Sequence, residues 1–204
     1  ATALAPSTNA ASPNGWHNAN AAIGGSTPTY NFTRGNNVFA YADFNNANPS
    51  SAAAIAGITT YAPASSGTYP NLIFDHAYGG TGVTASSYIN AATTNLFYMN
   101  NVMHDLWYQY GFTETNRNFQ SSNYGRGGSQ GDYVLAESQD GSQATTPSFN
   151  NANFATPSDG NRPRMQMYLW DVGPTPKFLT INSPASIAGE YNDAANVFSP
   201  GSGG

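Results

Sequence analysis

The strongest hydrophobic pattern in the chain lies at residues 86–110, where it repeats with the period of an α-helix. Apolar side chains recur there at steps of three and four positions: Ile89, Ala92, Leu96, Met99, Val102, Met103, Leu106, Trp107 and Tyr110. Thr84 or Ser86 can cap the start of such a helix, and Gly111 can end it in a left-handed conformation. The sequence therefore predicts one long amphipathic helix.

Polar residues define another face of this helix. Asn101, Asp105 and Gln109 are spaced by four positions, and His104 lies beside them. We expect this face to meet water or a cleft.

Alternating apolar and polar positions predict strands on both sides of the helix. Residues 29–41 form a hairpin with its turn at 34–37, and residues 133–138 form a single strand. Residues 150–156 and 164–170 form a second hairpin. The predicted fold class is α+β, with one long helix packed on a mostly antiparallel sheet.

Composition divides the chain into three parts. Residues 1–28 are rich in Ala, Ser, Pro, Asn and Gly around one aromatic anchor, Trp16, and are predicted to be an extended arm. Residues 29–170 carry the strands and the helix. Residues 171–204 are predicted to be a linker that leads into a C-terminal arm, with a strand-like segment at 178–181.

Charge and cysteine content exclude several classes of function. Only 8% of the 204 residues are charged, the net charge is −5, and the six basic residues are scattered, so no nucleic-acid surface is expected. The apolar runs are far shorter than a membrane span. The chain has no cysteine, which excludes disulfides, thiolate catalysis and Cys-ligated zinc. The neutral surface and an N-terminus without Met favour a processed, secreted protein.

Motifs that would identify a catalytic centre are absent from these residues. There is no His-Glu-x-x-His, and His17, His76 and His104 lie in unrelated segments, so structural roles are favoured over a shared metal. There is no Gly-x-Ser-x-Gly for a nucleophilic serine. Three Asp residues beside glycines could offer oxygen ligands to calcium, although turn formation is the favoured reading: Asp132, Asp140 and Asp159.

One acceptor sequence for N-glycosylation is present. Asn31 begins the Asn-Phe-Thr triplet at residues 31–33 and could carry a glycan if its strand is exposed.

Several ordered motifs resemble the fungalysin family of secreted zinc metallopeptidases. The motifs are Gly15-Trp-His17, Thr33-Arg-Gly-Asn-Asn37, Asn100-Asn-Val-Met-His-Asp105, Asn150-Asn-Ala-Asn-Phe-Ala-Thr-Pro157 and Arg164-Met-Gln-Met-Tyr168. The resemblance runs from about residue 12 to residue 170. Residues 171–204 look like the lead-in to the protease-associated insert of bacterial members.

The resemblance implies a thermolysin-like fold, in which a sheet-rich N-terminal lobe lies over a helical lobe with zinc between them. Residues 150–154 would then form the sheet-edge strand that pairs with an extended substrate, and Asn151, Ala152 and Asn153 would contact it. His104 and Asp105 would lie on a helix beneath the cleft, as a buried polar pair that fixes the helix to the sheet.

Two functional hypotheses follow. In the first, the chain is the N-terminal, substrate-binding half of a secreted fungalysin-like zinc metalloendopeptidase and is not catalytic alone. No cofactor is then expected on this chain, because the family's zinc ligands lie in a His-Glu-x-x-His helix and a downstream Glu, which these residues lack. In the second, the chain is a non-catalytic extracellular subunit that assembles with copies of itself into a filament or layer, through strand addition by residues 1–15 and 178–181.

Overall fold

The structure is a computed structural model that describes residues 9–78 and 84–170, together with the backbone of two strands at 189–192 and 197–200. In chain order the elements are β1 (Val38–Ala42), α1 (Ala52–Ala56), a 3₁₀ turn (Ala85–Tyr88), α2 (Ile89–Gln109), a second 3₁₀ turn (Glu114–Asn116), β2 (Val134–Ser138), β3 (Ala152–Ala155), β4 (Arg164–Met167), β5 (Gly189–Asn192) and β6 (Val197–Pro200).

The long helix predicted from the hydrophobic period is confirmed. Helix α2 follows the 3₁₀ turn directly, and Thr84 forms no side-chain cap at the start of that turn. At the other end Gly111 has a φ of 100°, and the amide of Phe112 donates back to the carbonyl of Trp107 at 3.0 Å. The left-handed glycine thus turns the chain out of the helix as expected.

The main sheet has four strands in the order β1-β2-β4-β3. Strand β2 runs parallel to both β1 and β4, and only β3 is antiparallel to its neighbour β4. The prediction of a mostly antiparallel sheet is therefore wrong. The physical reason is the connection between β1 and β2, which contains α2 and crosses over the sheet, so that the two strands run in the same direction.

The two predicted hairpins have different outcomes. Residues 150–156 and 164–170 form the antiparallel pair β3–β4, with Asn153 opposite Gln166. At residues 29–41 only β1 is a strand, and a single bridge joins Arg34 to Phe39. The alternating pattern at residues 29–41 therefore predicted a two-stranded hairpin of which only one bridge is present, because β1 pairs with β2 instead.

The apolar core lies on both faces of this sheet. On one face α2 contributes Leu96 and Phe97 to a cluster with Trp16, Val38, Ala40, Val134 and Ala136. On the other face the buried residues are Phe39, Tyr41, Ile55, Tyr133 and Leu135. Strands β1 and β2 are consequently buried on both sides, as parallel strands usually are.

The buried face of α2 differs from the predicted one. On the predicted polar face of α2, Asn101, His104 and Asp105 are buried rather than exposed to water, whereas Gln109 is exposed as expected. Much of the predicted apolar stripe is exposed instead: Met99, Met103, Leu106, Trp107 and Tyr110. Polar donors from the N-terminal segment cover the polar face and account for this reversal, as described below.

Strands β5 and β6 form a separate antiparallel pair, with Glu190 opposite Ser199. Residues 1–8 and the strand-like segment at 178–181 lie outside the described residues.

Candidate functional site

Strand β3 forms one edge of the sheet and carries the most exposed residues in it. All four of its residues are exposed, whereas every residue of β1 and β2 is buried. On one side β3 pairs with β4, and within the part of the chain that the structure describes no strand pairs with its other side. An edge of this kind can accept a further extended strand.

The three residues predicted to contact substrate lie at this edge. Asn151 comes immediately before β3 and accepts a hydrogen bond on its own side chain from the amide of Ala152 at 2.9 Å. The amide nitrogen of the Asn153 side chain donates to the hydroxyl of Tyr168 at 3.3 Å. Asn151, Ala152 and Asn153 are thus brought together on an exposed surface, each within reach of an incoming chain.

An apolar groove of about 490 Å³ lies between the edge of the sheet and α2. Phe154 of β3 packs against Phe119 with ring centroids 5.9 Å apart and forms part of one wall. The groove is lined mainly by large apolar side chains, among them Met99, Met103, Trp107, Phe154, Met165 and Met167. It therefore offers apolar contacts directly beside the open backbone of β3.

A buried polar network holds α2 to the N-terminal segment. Asp105 accepts hydrogen bonds from the side chains of Asn9 at 2.8 Å, Ser12 at 2.7 Å and Trp16 at 2.9 Å. His104 contacts the same carboxylate through Nδ1 at 3.0 Å. Burial by itself would raise the pKa of Asp105, but these hydrogen bonds outweigh it and lower the pKa below its usual range.

The partners of the His104–Asp105 pair were not evident from the sequence. The pair was predicted to join the helix to the sheet, and the structure gives Asp105 its donors from residues 9–16. On its other side His104 Nε2 lies 3.2 Å from the side-chain nitrogen of Gln120. The one hint to these partners in the sequence is the tryptophan of the Gly15-Trp-His17 motif, because its side chain is one of the donors to Asp105.

The three histidines do not converge on one point. His17 is buried, its Nδ1 lies 3.1 Å from the carbonyl of Phe32, and its ring stacks on Phe74 and Phe97. Burial lowers its pKa to about 4, which keeps the ring neutral although backbone hydrogen bonds act in the opposite direction. His76 instead contacts the carbonyl of Pro63 at 2.9 Å. The described residues therefore offer no fitting ligand set for a catalytic zinc ion.

Two of the three Asp residues considered for calcium organise loops. Asp132 accepts hydrogen bonds from the amides of Gln120 at 2.9 Å and Gly160 at 3.1 Å, and Asp159 accepts one from the amide of Ser129 at 3.1 Å. Asp140 lies elsewhere, in a cluster with Asp43 and Glu137. In residues 9–78 and 84–170 this cluster is the one group of acidic or histidine side chains whose ligand atoms are close enough to share a metal ion.

The predicted glycosylation residue Asn31 is exposed. Thr33 of the same triplet is buried, and its hydroxyl donates to the carbonyl of Ala40 at 2.8 Å.

Comparison with known proteins identifies the family of the chain that carries this edge strand and groove. A model of the family described as fungalysin metallopeptidase (M36) matches residues 1–192. The chain belongs to the fungalysin family. The resemblance seen in the sequence motifs is thereby confirmed.

Named relatives of this fungalysin chain are extracellular metalloproteinases. It is 43% identical over 141 residues to extracellular metalloproteinase 5 of Trichophyton rubrum and 42% identical over 161 residues to extracellular metalloproteinase MEP of Pyricularia oryzae. The matches cover 69% and 79% of this chain but 20% and 22% of those proteins, so the chain spans about a fifth of their length. These names confirm the predicted extracellular location.

None of the helices in the described residues combines the length and the apolar character needed to cross a bilayer.

Proposed function

We propose that this chain is the N-terminal, substrate-binding portion of a fungalysin metallopeptidase, and that it binds an extended polypeptide by strand addition to β3. The carrying observation is the exposed edge strand with the Asn-Ala-Asn-Phe sequence beside an apolar groove. Backbone hydrogen bonds along β3 would give affinity without regard to sequence, and the groove would select large apolar side chains. Support also comes from membership of a peptidase family.

The chemistry of hydrolysis is assigned to polypeptide outside residues 1–204. These residues contain no His-Glu-x-x-His, and the described histidines are held apart by other contacts. In this proposal the present chain binds and orients the substrate backbone, while the zinc and its activated water are contributed by the rest of the peptidase.

The exposed apolar side of α2 fits the same proposal. Trp107 is 50% exposed and Tyr110 is 77% exposed, with Met99, Met103 and Leu106 around them. A contiguous apolar surface of this kind usually contacts other protein. We infer that the remainder of the peptidase polypeptide packs on Leu106 and Tyr110, which do not line the groove, and closes the cleft opposite β3.

The experiment is an NMR titration of the ¹⁵N-labelled chain with an N-acetylated hexapeptide rich in Leu and Phe. Binding by strand addition should shift the amide signals of residues 151–155 most strongly. A hexapeptide of the same sequence with N-methylated backbone amides should bind at least tenfold more weakly, because it cannot donate hydrogen bonds to β3. Asn153→Ala should also weaken binding, whereas the exposed control Asn71→Ala should not.

Shifts that map away from β3, or equal binding of the N-methylated peptide, would contradict the proposal. The alternative, a self-assembling structural subunit, stays a prediction. Part of its predicted arm is already engaged within the chain, since Asn9 and Ser12 donate to Asp105.

A further inference from the structure

Three buried carboxylates meet where two parallel strands end. Asp43 directly follows β1, Glu137 is the fourth residue of β2, and Asp140 lies two residues beyond β2. Because Ala42 is aligned with Ser138 in a parallel register, the carboxyl ends of both strands deliver their acidic residues to the same place. One carboxylate oxygen from each residue lies within 4.8 Å of the other two.

The cluster is buried and its charge is poorly balanced. Asp43 is 6% exposed, and Glu137 and Asp140 are fully buried. Among the described residues the one basic side chain that forms an ion pair with the cluster is Arg164, which donates to Glu137 Oε1. Three ionised carboxylates and one guanidinium leave two negative charges uncompensated, and burying such charges is costly.

Some oxygens of the cluster are satisfied by hydrogen bonds. Both oxygens of Asp43 accept backbone amides, from Ala47 at 2.9 Å and Asn48 at 2.8 Å. Glu137 Oε1 accepts the hydroxyl of Tyr41 at 2.6 Å in addition to Arg164. These contacts fix the orientation of the carboxylates.

Two oxygens of the cluster have no partner at all. Glu137 Oε2 and Asp140 Oδ1 are buried and accept no hydrogen bond. The other oxygen of Asp140 accepts from the side chain of Gln166 at 2.9 Å, so the carboxylate is held in place while Oδ1 stays open. Buried polar atoms are normally paired, and two open carboxylate oxygens in one cluster point to a missing cationic ligand.

We propose that Asp43, Glu137 and Asp140 bind one calcium ion, with Glu137 Oε2 and Asp140 Oδ1 as its open ligands. Oxygen-only ligands select a hard cation, and the absence of thiol and imidazole from the cluster argues against zinc. Calcium takes oxygens at about 2.3–2.6 Å, so two ligands on one ion can lie up to about 5 Å apart, which accommodates the separation seen here. The charge of the ion equals the uncompensated charge of the cluster.

The ion would stabilise the sheet that carries the proposed substrate strand. It would tie the ends of β1 and β2 together beside Arg164, the first residue of β4, and β4 pairs with the edge strand β3. The site is independent of substrate binding, so it can be tested separately from the proposed function.

Protons compete with a cation for the carboxylate oxygens of the cluster. Burial, together with repulsion from Asp43 and Asp140, raises the pKa of Glu137 to about 7, against the opposing effects of Tyr41 and Arg164. Burial also raises the pKa of Asp140, with Tyr168 and Arg164 opposing it.

The test is calorimetric titration of the EDTA-treated, dialysed 204-residue chain with CaCl₂ at pH 7.5, together with its Tm in EDTA and in excess calcium. We expect one ion per chain with a Kd of about 10⁻⁵–10⁻³ M, and a rise in Tm of about 5 °C in excess calcium. Asp140→Asn should weaken binding at least tenfold and abolish the rise. In EDTA its Tm should equal or exceed that of the wild type, because a repelling charge is gone, which separates loss of the site from loss of folding.

The matched control is Asp75→Asn, which removes an exposed carboxylate and should bind calcium as the wild type does. The proposal is overturned if the wild type binds no calcium, if Asp140→Asn retains its affinity, or if calcium raises Tm equally in both proteins. Equal affinity for Mg²⁺ would overturn the assignment to calcium.

Discussion

The indole nitrogen of Trp16 donates a hydrogen bond of 2.9 Å to Asp105 Oδ2 and thereby joins the N-terminal segment to the C-terminal half of the sheet-packed helix. The same indole ring packs in the apolar core with Leu96 and Phe97, so one side chain contributes to both the apolar and the polar contacts of α2. Asp105 in turn also binds Asn9 and Ser12. Residues 9–16 are therefore part of the folded lobe.

Asp105→Asn should destabilise the chain by about 3 kcal/mol. The amide of Asn would direct a donor toward side chains that are themselves donors, leaving buried groups of Asn9, Ser12 or Trp16 without an acceptor. The free energy of unfolding in urea measures the loss. The exposed carboxylate variant Asp75→Asn serves as control and should change the stability by less than about 0.5 kcal/mol. A loss at Asp105 no larger than in this control would show that the network contributes little.

Local periodicity was sufficient to predict α2 and the β3–β4 hairpin, because both depend on residues close in sequence. It could not predict that β1 and β2 are parallel, since the alignment of Ala42 with Ser138 depends on the crossover between them. Because the direction of β1 and β2 was predicted wrongly, the acidic cluster was not predicted either. An antiparallel arrangement would place Asp43 and Glu137 at opposite ends of the sheet, so nothing in the sequence pattern brought them together.

The polarity of α2 misled the prediction for a different reason. Asn101 and Asp105 have the spacing of a solvent face, and their partners Asn37, Asn9 and Ser12 lie in segments with loop-like composition. A hydrophobic pattern registers apolar burial and does not register burial by hydrogen bonding. The apolar residues on the exposed side of α2 were equally ambiguous, because the pattern cannot say which protein surface covers them.

Two leucines on α2 should respond very differently to truncation. Leu96 is 9% exposed in the core, and Leu96→Ala should cost about 2–4 kcal/mol in the free energy of unfolding. Leu106 is 41% exposed on the side that we assign to the rest of the peptidase, and Leu106→Ala should cost less than about 1 kcal/mol in this chain. Urea unfolding of the two variants gives the comparison.

The same substitution in a longer polypeptide tests the assignment of that surface. If the remainder of the peptidase packs on it, Leu106→Ala should there cost about 2 kcal/mol or more. An equally small effect in both contexts would mean that another surface forms the contact.

Gly35 should tolerate no larger residue, because the chain passes too close to it. A Cβ atom at Gly35 would lie 1.4 Å from the carbonyl oxygen of Trp16, so Gly35→Ala must displace the backbone that positions Trp16 and should cost about 3 kcal/mol. Gly57 is the control, since its Cβ would meet no atom closer than 3.5 Å. Gly57→Ala should be neutral or stabilise by about 0.5 kcal/mol. Thermal unfolding distinguishes the two, and equal Tm values would refute the close approach.

Without divalent cations, the stability of the chain should be highest between about pH 4.5 and 6.5 and fall on either side. The usual pKa of Glu137 is 4.5 and its folded value is about 7, so its favourable contribution is present at low pH and is lost as the pH rises through 7. His17 acts in the opposite sense, because its pKa falls from 6.5 to about 4 and its contribution is lost as the pH drops through that range. Between about pH 4.5 and 6.5 the two contributions largely cancel, so the net loss above about pH 6.5 is about 1 kcal/mol.

Urea unfolding in EDTA between pH 4 and pH 8.5 measures both sides of this profile, and two substitutions separate them. Glu137→Gln should flatten the decline above pH 6.5, because the neutral amide has no charge to bury. His17→Phe, whose ring can still stack between Phe74 and Phe97, should remove the acid decline and make the alkaline decline larger, beginning near pH 4.5. If the alkaline decline persists in Glu137→Gln, another group titrates there and the acidic cluster is not its source.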